Sequence, residues 1–297
     1  IPHATSAFLA REILKSETHN SMSIRFVTTL HGTDITLTGL EPSFLPTMKF
    51  SIEKADGVTA VSKFLADKTN TQYKINKHIE VIPNFVDIDK FKRENDEKTQ
   101  CFKKNIAPND EKVFIHISNF RALKRVQDVI KIFYEVRKKL EAKLLLVGDG
   151  PDRSDCERLV RELEITDHVR FMGKQDALVE LLSVSDIFMI PSQSESFGLS
   201  ALEAMSCGVP VISSSVGGLP ELNLHNETGY IAEIGDVDRM AKYAVDLLSD
   251  KKRYELFSKN ARKRAEEFSE DKIVPLYEKF YEQFIDAPDS VSSSTSK

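Results

Sequence analysis

The chain has 297 residues, enough for two domains with separate cores, and its 41% hydrophobic and 29% charged residues are typical of soluble globular proteins. No apolar run approaches the roughly 20 residues of a membrane-spanning helix, and the start lacks a secretory leader, so we expect a cytoplasmic protein without a membrane span. The formal net charge of -5 argues against nonspecific nucleic-acid binding but leaves room for a basic cleft that binds a phosphorylated small molecule.

Predicted strands and helices alternate along the sequence. Short β-branched runs predict strands, and segments with helical spacing of apolar residues lie between them. In chain order, the predicted strands are 24–32, 57–62, 112–118, 142–148, 169–173, 187–192 and 209–214. The predicted helices are 44–55, 126–140, 154–165, 177–185, a segment from about 197 to before 208, and 272–285. Strands separated by helices predict parallel sheets covered on both faces, so we predict an α/β fold of doubly wound, Rossmann-like lobes.

A polar stretch without periodicity, between about 86 and 112, separates the two predicted lobes. We assign 1–92 to a partial N-terminal lobe and 93–270 to a C-terminal lobe, and we expect the helix at 271–285 to return to the first lobe. The tail at 286–297 is polar and predicted to be disordered. Because a doubly wound lobe usually has five or more strands and the first has two or three, we expect that further sequence precedes it.

Candidate site residues follow the predicted strands, because ligands of open α/β sheets bind at the carboxyl ends of the strands. Polar or glycine residues at these ends are His31, Arg121, Lys124, Arg125, Gly173 and Lys174. The three cations at 121–125 would lie beside the segment after the strand at 187–192 if the two strands are neighbours, and two of them would neutralise a diphosphate. The alternative is a solvated basic patch.

Two glutamates lie in the apolar segment SESFGLSALEAMSCGVPVI. A helix from about Phe197 would leave its first amides unpaired, and Gly198 would let a phosphate approach them. Glu195 would precede this terminus and Glu203 would lie about two turns inside the helix, on the order of 10 Å away. This length suits a nucleotide-sugar, with one carboxylate on sugar hydroxyls and the other on the ribose diol. The alternative is a capping glutamate plus a solvated surface glutamate.

Several segments together resemble one enzyme family. They are TTLHGTD, VTAVSKFL, VIPNFVDIDKF, LLLVGDGP and PSQSESFGLSALEAMSCGVPVISSSVGGLPE, and they resemble the retaining glycosyltransferases of family 4, which have the GT-B fold. The resemblance extends to about residue 285. It implies that 1–92 is the acceptor-side lobe and that 93–270 binds the nucleotide-sugar. Two segments resemble more specifically the family members that act in bacillithiol biosynthesis, and these segments are HISNFRALKRVQDVI and TTLHGTDIT. This resemblance implies transfer of N-acetylglucosamine from its UDP donor to the hydroxyl of L-malate.

The resemblance implies roles for two groups of residues. The group at the reacting centre and the diphosphate is His31, Glu195, Arg121, Lys124 and Arg125. Within it, His31 and Glu195 face the donor sugar, and Arg121 binds the diphosphate with one of the two cations that follow it. The nucleotide-binding group is Phe197, Gly198, Leu199, Glu203, Gly173 and Lys174. In that group Glu203 holds the ribose, the residues at 173–174 lie near the uracil, and the amides at 197–199 face the donor.

The implied mechanism needs no nucleophilic side chain, because the leaving diphosphate takes the acceptor's proton on the same face. No metal or other cofactor is expected. The sequence DID at 87–89 imitates the metal-binding DxD of a different glycosyltransferase fold, but it lies in the predicted connection between lobes. The three cysteines are widely spaced and form no CxxC pair, so neither a zinc site nor a disulfide framework is expected.

The family's glycine-rich loop, which belongs before HGTD, is missing from this sequence, so activity of the 297-residue chain itself is in doubt. Three alternatives stay open: transfer to another acceptor, a sugar-nucleotide epimerase of the same fold, and a noncatalytic UDP-sugar-binding protein. A dinucleotide dehydrogenase is disfavoured, because GDGP lacks the third glycine of GxGxxG. Malate enters through the resemblance alone, and the oligomeric state is left open, with a homo-oligomer as one option.

Overall fold

The computed structural model describes residues 2–17, 24–32, 35 and 42–285. These residues divide into two compact units. Unit 1 comprises the described residues within Ile1–Pro83 and Asp271–Lys297, and unit 2 comprises Asn84–Glu270. The predicted disordered tail, 286–297, lies outside the described residues.

Unit 1 is a three-stranded parallel sheet with helices. Its strands, paired in the order β1-β2-β3, are β1 (Val27–Leu30), β2 (Gly57–Ala60) and β3 (Glu80–Val81). Its helices are α1 (Pro2–Glu17), α2 (Leu45–Lys54), α3 (Lys63–Tyr73) and α12 (Glu270–Ile285), the last reaching unit 1 after its first residue. The helix α1 was not predicted, because exposed apolar side chains on it, including Leu9 and Ile13, blur the helical stripe.

The C-terminal helix α12 packs into unit 1. Ile273 and Phe280 form a buried cluster with Ile82, which follows β3. The Tyr277 hydroxyl donates a hydrogen bond to the Ile82 carbonyl over 3.2 Å. The far end of the chain therefore completes the core of a unit that the first part of the chain begins.

Unit 2 contains a six-stranded sheet in which every pairing is parallel. The strands are β4 (Lys112–Ile117), β5 (Ala142–Val147), β6 (Val169–Gly173), β7 (Ile187–Ile190), β8 (Val211–Ser214) and β9 (Gly229–Ala232). Their order in the sheet is β6-β5-β4-β7-β8-β9. The helices are α4 (Glu97–Ile106), α5 (Val126–Arg137), α6 (Arg153–Glu162), α7 (Leu178–Ser183), α8 (Leu199–Ser206), α9 (Leu219–Leu222), α10 (Val237–Leu248) and α11 (Lys251–Ala265).

One core cluster of unit 2 lies on the face of this sheet that α5 covers. Every residue of β7 and β8 is buried, as expected for central parallel strands covered on both faces. The apolar stripe of α5, including Val129 and Phe133, is buried against the sheet, as its helical spacing predicts. Burial of this kind contributes about 25 cal/mol for each Å² of apolar surface removed from water. The core therefore fixes the sheet whose carboxyl edge carries the candidate site.

The boundary between the units lies earlier than the sequence analysis placed it. We predicted a division between 92 and 93, whereas unit 2 begins at 84. The reason is a set of backbone contacts that the polar composition does not reveal. Val86 pairs with Ser269 as an isolated β-bridge, and the Arg262 guanidinium donates to the Ile88 carbonyl over 3.1 Å.

The polar passage without periodicity, in which we predicted no helix, contains α4. Its start is capped by Asp96, whose carboxylate accepts a hydrogen bond from the Thr99 amide at 2.8 Å. Only Thr99 and Ile106 are buried in this helix, so the sequence has no apolar stripe to indicate it.

Candidate functional site

The strands β4 and β7 are parallel neighbours at the centre of the unit 2 sheet, with Phe114 beside Ile187. The chain leaves β4 towards β5 on one side and leaves β7 towards β8 on the other. This is a topological switch point, where the loops at the carboxyl ends diverge and leave a crevice for a ligand. We expected the cations at 121–125 to lie beside the segment after β7 if β4 and β7 are neighbours, and the two strands are neighbours.

The loop after β4, residues 118–125, contacts the loop after β7 directly. The Gln193 amide donates to the Leu123 carbonyl over 2.7 Å. The Lys124 ammonium lies 2.5 Å from the Glu195 carboxylate, and the two side chains are only 19% and 15% exposed. Two of the predicted site residues are thus in direct contact at the switch point.

Arg125 is directed away from that contact. It has a left-handed backbone, with φ of 51°, and its guanidinium donates to the Asp128 carboxylate over 2.6 Å. Its guanidinium also lies next to Gly235, beyond β9. Asp128 was not among the predicted residues. Its position three residues after Arg125 could have indicated this ion pair. Arg121 is exposed just before the turn at 122–124.

The backbone at Glu195 is contacted by Gly217 and Gly218, to which we assigned no role from the sequence. Gly217 has φ of +60°, and a side chain there would place its Cβ 1.7 Å from the Glu195 carbonyl oxygen. The Gly218 amide donates to that same oxygen over 3.0 Å. Two consecutive glycines between a strand and a helix signal such a close backbone approach.

The helix α8 begins at Leu199, two residues later than predicted. Its N-cap is Gly198, with φ of +100°, and no side chain caps the helix. The Phe197 side chain is buried against Phe268, with ring centroids 5.6 Å apart, so only its backbone is available to a ligand. The Leu199 side chain is 44% exposed. The terminus therefore presents backbone amides, which suit an anion.

Glu203 lies in the second turn of α8 and is partly buried, which disagrees with the reading of a solvated surface glutamate. Burial raises the pKa of its carboxyl group to about 7, and the positive charge of Lys90 opposes that rise. A partly buried carboxyl group in the second turn of this helix can accept hydrogen bonds from hydroxyl groups.

Gly173 ends β6 and Lys174 follows it, at the opposite side of β5 from the switch point. Gly173 has φ of +65°, and its carbonyl accepts a hydrogen bond from the Gly148 amide at 2.8 Å. Lys174 is exposed. The glycines of GDGP serve close packing: a Cβ at Gly150 would lie 2.4 Å from the Phe120 carbonyl oxygen.

His31 belongs to unit 1, whereas the other predicted site residues belong to unit 2. It is exposed and directly follows β1. The next residue, Gly32, has φ of +122°, and its carbonyl accepts the Ile35 amide at 2.9 Å. The remainder of the HGTD segment, 33–34, lies outside the described residues.

The DID segment forms a turn. The Asp87 carboxylate accepts hydrogen bonds from the amides of Asp89 and Lys90, at 3.0 and 2.9 Å. Within the described ranges, no three His, Cys, Asp or Glu side chains are grouped as metal ligands would be. In the same part of the chain, no helix has both the length and the apolar character needed to cross a bilayer.

Comparison with known families assigns the chain. The family described as "Glycosyl transferases group 1" matches residues 97–264, and "Glycosyltransferase Family 4" matches residues 1–90. The chain belongs to the family 4 glycosyltransferases. It is therefore a sugar-transferring enzyme, as the resemblance of its motifs implied.

Individual relatives agree with this assignment. The N-acetyl-alpha-D-glucosaminyl L-malate synthase of Bacillus anthracis is 46% identical over 283 residues, which are 95% of this chain and 72% of that protein. A GDP-mannose-dependent alpha-(1-6)-phosphatidylinositol monomannoside mannosyltransferase of Mycolicibacterium smegmatis is 27% identical over 77% of this chain and 62% of its own length.

Solved structures confirm the predicted GT-B fold. A glycosyltransferase of Rickettsia africae superimposes with a TM-score of 0.79 at 21% identity, covering 96% of this chain and 82% of that one. Anabaena Alr3699/HepE, in complex with UDP and glucose, gives a TM-score of 0.81 at 20% identity, covering 96% and 75%.

Proposed function

We propose that the protein transfers N-acetylglucosamine from UDP-N-acetylglucosamine to the hydroxyl group of L-malate, with retention at the anomeric carbon. The observation that carries this proposal is the 46% identity, over 95% of the chain, to a protein named for that product. The reaction would be the first step of bacillithiol biosynthesis, and a cytoplasmic location stays a prediction.

The switch point of unit 2 supports a nucleotide-sugar as the donor. An uncapped helix start, a lysine at 2.5 Å from Glu195, and a partly buried Glu203 lie along one edge of the sheet. The helix start and the lysine suit the diphosphate, because both present positive charge or N–H donors. The two carboxylates suit hydroxyl groups, with Glu195 on the sugar and Glu203 on the ribose.

We assign the diphosphate contact to Lys124 rather than Arg125. The guanidinium of Arg125 is already bonded to Asp128, whereas the Lys124 ammonium lies at the crevice beside Glu195. A diphosphate carries more negative charge than one carboxylate, so it would compete with Glu195 for this ammonium. Arg121 is exposed near the same loop and is the second cation of the proposal.

In the proposed reaction, the malate oxygen bonds to the anomeric carbon as the bond from that carbon to the β-phosphate oxygen breaks. The malate proton passes to the departing phosphate oxygen on the same face. The protein's own part is to stabilise the charge that grows on the diphosphate and to hold both substrates in position. His31 is proposed to face the donor sugar, and Gly173 and Lys174 the uracil. No metal or other cofactor is proposed.

The test is incubation of the protein with UDP-N-acetylglucosamine, with and without L-malate, while UDP and the sugar products are measured. The proposal expects UDP release that depends on malate and an α-linked product. Isomerisation of the donor without an acceptor would indicate an epimerase instead. Binding without turnover under both conditions would indicate a noncatalytic UDP-sugar-binding protein.

A further inference from the structure

The strand β4 contains a histidine whose two ring nitrogens are both hydrogen-bonded. His116 is fully buried, with 0% exposure. Its Nδ1 lies 2.7 Å from the Met189 carbonyl oxygen on β7, and its Nε2 lies 2.7 Å from the Ser118 hydroxyl. Ser118 is the first residue of the loop 118–125, so the ring connects the neighbouring strand β7 to the start of that loop.

The geometry fixes which atoms donate. A carbonyl oxygen only accepts, so Nδ1 of His116 carries the hydrogen that bonds to Met189. Burial is the main reason that the pKa of His116 is lowered to about 4. The hydrogen bond to Met189 raises this pKa, and the positive charge of Lys124 lowers it. The neutral ring therefore has a bare Nε2, and the Ser118 hydroxyl must donate to it. That hydrogen is thus not available to a phosphate group.

We propose that His116 and Ser118 are positioning residues that hold the loop 118–125 in the shape that brings Lys124 to the donor diphosphate. The inference depends on the proposed function, because it assumes a UDP-sugar at this loop. Neither residue touches the ligand in this proposal. They act through the loop, whose other anchors are the Phe120 amide on the Asp149 carbonyl at 2.9 Å and the Gln193 amide on the Leu123 carbonyl at 2.7 Å.

The loop needs such an anchor because it carries unfavourable features. It ends at Arg125 in the left-handed region, which non-glycine residues adopt reluctantly. It also carries two cations that need partners outside the loop, and these are Glu195 for Lys124 and Asp128 for Arg125. Releasing its first residue lowers the fraction of molecules in the binding shape, and the apparent affinity for the diphosphate falls by the same factor.

The experiment compares binding of UDP and of uridine, because only UDP reaches the loop through its diphosphate. We expect Ser118→Ala to weaken UDP binding about tenfold, the effect of leaving one buried acceptor without its donor, while uridine binding changes less than about twofold. Ser118→Thr keeps the hydroxyl and restores UDP binding. Ser185→Ala is the matched control, since its fully buried hydroxyl donates to Leu181 over 2.7 Å at the opposite edge of the sheet.

If Ser118→Ala does not unfold cooperatively, His116→Phe provides a second measurement. It removes the acceptor of the Ser118 hydroxyl and is expected to weaken UDP binding as much as Ser118→Ala does. In the double variant the losses should not add, because both changes break the same bond. Additive losses, or an unchanged ratio of UDP to uridine affinity in the single variants, would overturn the inference. Wild-type protein that binds neither ligand would overturn the proposed function instead.

Discussion

The two units reach their folds in different ways. Unit 2 is a contiguous segment whose six parallel strands carry a buried core, and every residue of the central strands β7 and β8 is buried. In unit 1 the described sheet has three strands, three of the four residues in β1 are only partly buried, and β3 is two residues long. Unit 1 also takes a helix from the far end of the chain.

The two units are held in shape by contacts in different places. In unit 2 they lie at the carboxyl edge of the sheet, where glycines allow backbone segments to approach closely and where charged side chains are paired. In unit 1 they lie in the packing of α12 against the residues around β2 and β3. Changes at the edge of unit 2 should therefore affect the site most, and changes under α12 should affect unit 1 alone.

The largest effect is expected for Gly217→Ala, which breaks the edge of unit 2. Its Cβ would lie 1.7 Å from the Glu195 carbonyl oxygen, in a backbone at φ of +60°. Overpacking and backbone strain together should lower the free energy of unfolding of unit 2 by about 4 kcal/mol and displace Glu195. Denaturant unfolding measures the loss. Gly173→Ala has a similar φ of +65° but meets nothing closer than 4.0 Å, so it should cost only about 1 kcal/mol.

The next effect concerns the two neighbouring cations. Lys124→Met should lower kcat/KM by about 10²–10³-fold, because in the proposed site it removes the charge that stabilises the diphosphate in the transition state. Arg125→Met should lower it less than about tenfold, because that guanidinium is bonded to Asp128. Steady-state kinetics with a UDP-sugar donor decide between them. Equal losses, or a greater loss at Arg125, would show that the assignment to Lys124 is wrong.

The periodicity of the sequence predicted most of unit 2, because a buried parallel sheet imposes a strong pattern on its own segments. The stripe of α5 and the apolar runs of β5 and β7 are examples. Helices with little burial were not predicted, since α4 has only two buried residues and α1 exposes Leu9 and Ile13. Local pattern records burial, so an element held chiefly by caps or by distant contacts leaves little signal.

The sequence predicted which loops lie together at the candidate site, but not the directions of their side chains. The rule for parallel sheets indicated the loops after β4 and β7, and the pairing of these strands brings Lys124 to Glu195. The sequence could not separate Lys124 from Arg125, because the direction of each side chain depends on the left-handed backbone at Arg125. The hydrogen bonds of His116 could not be predicted either, since its partner Met189 lies on another strand.

The third effect is a pH dependence at the edge of unit 2. The folded-state pKa of Glu203 is raised from 4.5 to about 7 by burial, so its contribution to stability is full below pH 4.5 and is lost as pH rises through about 7. Glu203→Gln removes this dependence. The difference in unfolding free energy between variant and wild type should therefore shift by about 2 kcal/mol in favour of the variant between pH 5.5 and 8.

Comparing the two proteins at each pH also removes the contribution of His116. That residue acts in the opposite sense, because its lowered pKa gives stability above pH 6.5 that is lost as pH falls through about 4. Thermal or denaturant unfolding across the range measures the shift. A difference that does not vary with pH would mean that the Glu203 carboxyl group is not titrating near neutrality in the folded protein.

The smallest effect tests unit 1. A Cβ at Gly57 would lie 2.6 Å from the Phe284 ring and 3.0 Å from the Phe280 ring, both on α12. Rings can shift where a backbone cannot, so Gly57→Ala should cost only about 1 kcal/mol. Amide hydrogen exchange should rise in the strands of unit 1 and stay unchanged in β4 to β8. Adding Phe284→Leu should relieve the contact and restore part of the protection. Equal increases in both units would mean that they unfold together, and the contrast between them would not hold.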